Sequence, residues 1–135
     1  MKKGLLLLVT LILVGCNNGQ TSFFTTNKDS SHKDQRQEIE QIVKDDQHIK
    51  RVTALLTDNA AIVGIEVKPF SKWKKRQYEK EWQKEIEKAL PQKDVLVSTD
   101  LKIMIETDKL AKKQMGEKEL DKKIKELKEL SEEET

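Results

Sequence analysis

Ten uncharged residues, 5–14, run Leu-Leu-Leu-Leu-Val-Thr-Leu-Ile-Leu-Val between Lys2-Lys3 and Gly15-Cys16. A helix needs about 20 apolar residues to cross a hydrocarbon core of roughly 30 Å, so this run is too short to span a bilayer. Its length and its positive flank are those of a signal-peptide h-region, which is removed before the mature chain folds. Residues 1–15 are therefore set aside as an export signal. The fold has to come from the 120 residues that follow.

The end of this segment, Leu13-Val14-Gly15-Cys16, places a small residue directly before a cysteine. It resembles the bacterial lipobox, in which the thiol takes a diacylglyceryl group and the cysteine becomes the new N-terminus. Only a good nucleophile can be alkylated by the lipid donor, which is why a thiol is required. A plain signal peptide followed by an incidental cysteine is the alternative. Cys16 is the sole cysteine, so no disulfide competes for it. The expectation is cleavage between Gly15 and Cys16, lipidation of Cys16, and a protein held by that lipid on the extracytoplasmic face of a cell membrane.

Removing the signal changes the composition. The formal charge of +2 is that of Lys2 and Lys3, leaving 24 basic and 24 acidic residues. A neutral chain lacks the basic footprint of a nucleic-acid binder. Only 38 of the 120 remaining residues are apolar, enough for one small core and not for two domains.

Residues 16–34 are polar, with Phe23 and Phe24 as the apolar exceptions, and show no period of 2 or 3.6. They read as the lipidated cysteine and a flexible tether. Ile39, Ile42 and Val43 then mark a short amphipathic helix over 35–46. Residues 50–57 and 60–68 are apolar runs separated by Thr57-Asp58-Asn59, a hairpin pattern, and Pro69 ends the second run. Tyr78, Trp82, Ile86 and Leu90 recur every four residues along a helix over 71–90, with Ser71 as its expected N-cap. Residues 94–99 form a third strand, Asp100 caps a helix ending near Gly116, and Leu120, Ile124, Leu127 and Leu130 stripe a charged terminal helix. The expected domain spans 35–115, followed by this helix and tail over 116–135. Its class is α+β: a small three-stranded sheet, a hairpin plus a third strand, with helices packed on one face.

No catalytic arrangement emerges. His32 in the tether and His48 at a helix end show neither HExxH nor Cys/His spacing, so no metal site is expected. There is no G-x-S-x-G elbow and no glycine-rich phosphate loop. The expectation is a non-enzymatic chain with no cofactor beyond the covalent diacylglyceryl lipid on Cys16. One surface stands out. Residues 68–93 carry nine Lys or Arg against four Glu, densest at Lys72, Trp73, Lys74, Lys75 and Arg76. Basic residues around a Trp suit an anionic lipid surface, at about 1 kcal/mol per cation near the membrane. An acidic cell-wall polymer is a second possible occupant. The bland alternative is a solvated helix face balanced by residues 117–134, which hold eight acids and five Lys.

Lipobox, polar tether, the strand Ala61-Ile62-Val63-Gly64-Ile65-Glu66-Val67, a charged helix, Val95-Leu96-Val97-Ser98-Thr99-Asp100 and a terminal helix beyond Gly116 together have a familiar order. In this the chain resembles the sporulation lipoprotein family of spore-forming Firmicutes (YhcN/YlaJ type). Gly64 within that strand indicates a close backbone approach. The resemblance implies a small non-enzymatic domain of BON-like layout at the spore inner membrane, assisting sporulation, germination or outgrowth. It implies a membrane partner through the lipid and another envelope or spore protein as a further one. Only Cys16 carries over as a functional position.

Overall fold

The computed structural model describes residues 24–27 and 32–133. The export segment 1–15, Cys16, Phe23, residues 28–31 of the expected tether and Glu134 lie outside the described residues. The elements in chain order are β1 (Phe24–Thr26), α1 (Lys33–Val43), β2 (Ile49–Leu56), β3 (Ala60–Val67), a 3₁₀ helix (Pro69–Lys74), α2 (Lys75–Ala89), β4 (Asp94–Ser98), α3 (Leu101–Lys112) and α4 (Glu117–Glu133).

The class is α+β, and the sheet has four strands rather than three, in the order β1-β2-β3-β4. β2 and β3 are the antiparallel hairpin, β4 runs parallel to β3, and β1 runs parallel to β2. The added strand comes from the segment read as tether. Phe24 packs against the core and the Asn27 side chain continues the pairing. Its amide donates to Leu56 O at 3.5 Å, and its Oδ1 accepts from Leu56 N at 3.3 Å. Three residues give no periodicity, so composition alone hid this strand.

The helices lie on both faces of the sheet, not one. Val52, Ala54, Leu56, Ala61, Val63, Ile65, Val95 and Val97 join Ile39 and Val43 of α1 and Trp82 and Ile86 of α2 in one core. The alternate residues Leu55 and Ile62 join Ile103 and Leu110 of α3 and Leu120, Ile124 and Leu127 of α4 in a second. Successive strand side chains point to opposite faces, so β2 and β3 are apolar on both. Gly64 and Glu66 gave the second face a polar look in the sequence. In the fold Gly64 lies under α3, where a Cβ would stand 2.8 Å from Met104 Sδ and 3.5 Å from its Cα. Glu66 pairs with Arg51, its cross-strand partner, at 2.7 Å, and Arg51 reaches Asp108 of α3 at 2.6 Å. Thr53, fully buried, hydrogen-bonds the other Asp108 oxygen.

β4 is an edge strand, and an open edge invites pairing with other chains. Gln83 of α2 covers it. Its amide donates to Val95 O at 2.8 Å and its Oε1 accepts from Val97 N at 2.7 Å. Glu79, one turn earlier, accepts from both Thr99 N and Thr99 Oγ1, and Asp100 caps α3 by accepting from Lys102 N and Ile103 N.

Two measurements test these contacts. Gly64→Ala should destabilise the protein by roughly 1–3 kcal/mol in urea unfolding, because the buried Met104 has little room to retreat; a change near zero would show that α3 does not lie this close. The hydrogen bond from Arg51 holds the Glu66 carboxyl below its ordinary value. A depressed folded-state pKa contributes stability that is complete above the unfolded value and is lost as pH falls through the folded one. Wild-type stability should therefore fall more steeply on acidification than that of Glu66→Gln.

Candidate membrane-facing surface

Pro69 lacks the N–H a strand needs and fixes φ, so β3 stops and a 3₁₀ helix begins. With three residues per turn, side chains at i and i+3 lie on one side. Phe70 and Trp73 are such a pair and both point outward, at 70% and 79% exposure. Ser71 points inward instead. It is buried and hydrogen-bonds His48 Nδ1 at 2.9 Å, while the His48 ring stacks on Tyr78 with centroids 4.2 Å apart. Ser71 is therefore not the N-cap of α2, and His48 is not a free helix-end histidine. Together they fasten the turn that presents the two aromatics. Asp46 steadies the same region, accepting from Trp82 Nε1 at 2.8 Å and His48 N at 2.9 Å.

The cations follow at once. Lys74 occupies the N-cap of α2 without a side-chain cap bond, its Nζ 4.7 Å above the Trp73 ring. Lys75 and Arg76 begin the helix, whose first turn holds no acid. Cations at the positive end of a helix are unfavourable by about 0.3–1 kcal/mol each. Among the described residues, Lys72, Lys74, Lys75 and Arg76 form no ion pair. The acidic α4 belongs to the core on the other face of the sheet, and its first turns engage the far end: Glu117 accepts from Asp58 N and Asp121 from Thr57 Oγ1. None of the ion pairs among the described residues joins the patch cations to α4.

The strand directions place more at this end. β3 and β4 are parallel, so Phe70 and Trp73, which follow β3, leave from the same end as Leu101, which follows β4. Leu101 is 61% exposed, and Ile105 one turn later is 44% exposed. Among the described residues, these four are the exposed large apolar side chains. β2 runs against β3, with Ile49 opposite Val67, and β1 runs with β2, with Phe24 opposite Val52. β1 therefore starts at Phe24 and heads away from this same end. Seven residues lie between Cys16 and Phe24, and these eight Cα-to-Cα steps reach at most about 28 Å. Sequence reasoning found 72–76 but missed Phe70, Leu101 and Ile105. The three-residue spacing after Pro69 was the available sign for Phe70.

The sequence profile of the sporulation lipoprotein YhcN/YlaJ family matches residues 15–130. The chain belongs to that family. Searches of the curated proteins and of the solved structures return no significant match. For this sporulation lipoprotein, among the described residues, no helix is long and apolar enough to cross a membrane.

The uncompensated α2 terminus yields a test with two readouts. Lys75→Glu should raise unfolding stability by a few tenths to about 1 kcal/mol by complementing the helix dipole, while weakening retention on anionic vesicles. A variant less stable than wild type would show that Lys75 has a structural partner.

Proposed function

We propose that this sporulation lipoprotein is a non-enzymatic protein of the spore inner membrane, anchored by a diacylglyceryl group on Cys16. It acts in sporulation, germination or outgrowth with the carboxyl ends of β3 and β4 turned toward the lipid. The observation that carries the orientation is the coincidence of three features at one end of the sheet: the entry of the chain from Cys16, the exposed Phe70, Trp73 and Leu101, and the unpaired cations of 72–76. Two acyl chains make a stable anchor where one is marginal. With the anchor in place, the cations meet anionic headgroups, the amphipathic Trp73 indole sits at the interface and Phe70 leaves water for the apolar region.

The exposed aromatics favour lipid over a hydrated acidic wall polymer as the occupant of this patch, since apolar side chains gain by leaving water and a hydrated polymer keeps them wet. In this reading the BON-like layout corresponds to the unit α1-β2-β3-α2-β4, two helices on one face of three strands, with β1, α3 and α4 added around it.

Fractionation tests the reading. The protein should be enriched in membranes of purified spores over membranes of growing cells. Cys16→Ser should appear in the medium or as unprocessed precursor. Equal abundance in growing cells would discard the spore role, and continued lipid labelling of Cys16→Ser would discard the anchor.

A further inference from the structure

At the end of the sheet opposite the basic patch, one buried side-chain nitrogen has no hydrogen-bond partner among the described residues. His32, 5% exposed, lies just before α1, and its Nε2 forms no hydrogen bond. It faces two carboxylate oxygens, Asp58 Oδ1 on the hairpin tip and Glu117 Oε1 at the start of α4, each at 3.6 Å. That is beyond hydrogen-bond distance, and a buried polar group without a partner is unfavourable enough to need an explanation. We propose that His32, Asp58 and Glu117 bind one divalent transition-metal cation of the zinc class, clipping the start of α1 and the first turn of α4 to the β2–β3 hairpin.

The three ligand atoms lie within 4.8 Å of one another. A point equidistant from them, given the two 3.6 Å separations, is at most about 2.4 Å from each, a few tenths of an ångström outside zinc distances of roughly 2.0–2.2 Å. The second layer of contacts already orients the ligands. Glu117 Oε2 accepts from Asp58 N at 2.6 Å, turning Oε1 toward His32. Lys93 donates to Thr57 O at 2.6 Å and Asp58 O at 3.1 Å, holding the hairpin tip. Two carboxylates and a neutral imidazole balance a dication. An imidazole in the set selects zinc-like ions over calcium and magnesium, which prefer oxygen alone. Asp58 is 78% exposed, and a groove of about 410 Å³ bordered by His32, Gln35, Glu38 and Asp58 opens beside the site. A fourth position is therefore free for water. The ligands come from residues 32, 58 and 117, so no short motif announced them.

The test uses the full, untagged lipoprotein purified in detergent and stripped with chelator. Calorimetric titration with zinc chloride should give one site per chain, and zinc should raise the thermal midpoint, as a ligand specific to the folded state must. His32→Ala, Asp58→Asn and Glu117→Gln should each weaken zinc binding at least tenfold, and His48→Gln should leave it unchanged. Cobalt(II) should show ligand-field absorption in wild type that His32→Ala abolishes. The Asp58 side chain is exposed, so Asp58→Asn should unfold like wild type without metal, separating ligation from folding. Failure to take up zinc, uptake unchanged in Asp58→Asn and His32→Ala, or an equal response to calcium would each overturn the site.

Discussion

Burial of the β2–β3 hairpin on both faces sets the position of every other element. From Val52 to Leu56 and from Ala61 to Val63, no residue keeps any exposure, and Ile65 is also fully buried. Two strands of this kind cannot hold a surface, so each face must be covered by a layer. Trp82 and Ile86 of α2 close one face with α1, and Ile103 of α3 closes the other with α4. The second layer depends on Gly64, whose missing side chain lets the backbone of α3 approach, and on Arg51, which ties β2, β3 and α3 through Glu66 and Asp108.

The sheet directions turn this packing into polarity. One end carries the chain's entry at Phe24, the 3₁₀ turn with Phe70 and Trp73, and the exposed start of α3. The other carries the hairpin tip, His32 and the first turn of α4. The first end departs from local rules: aromatics in water, and cations at a helix N-terminus whose first turn holds no acid. Such departures are expected where a surface serves something other than folding. In the orientation proposed above, a membrane would supply both, apolar volume for the rings and anionic charge for the lysines.

Much of this was legible in the residues, and the gaps have physical causes. The hairpin, the Trp82 stripe, the strand over 94–99 and the Asp100 cap follow from periods of 2 and 4 and from capping chemistry. β1 was missed because three residues carry no period and its partner β2 is distant in sequence. The single covered face was wrong because Gly64 and Glu66 look solvent-facing until Met104 and Arg51 are placed against them. The family assignment came from strand patterns and the lipobox. Residues 72–76 were found from charge density, but their isolation from the acidic α4 depends on which face of the sheet each helix covers, a tertiary fact.

Because Trp82 is buried against the sheet and Trp73 lies at the patch, the two indoles report different surroundings. The decisive measurement is fluorescence quenching by brominated lipid in anionic vesicles bearing the anchored protein, comparing wild type with Trp73→Phe. If the patch faces the membrane, wild-type emission is quenched, the effect weakens in high salt, and Trp73→Phe is indifferent to the lipid. Wild-type emission as indifferent to brominated lipid as that of Trp73→Phe would contradict the orientation and leave the basic end of the sheet facing water.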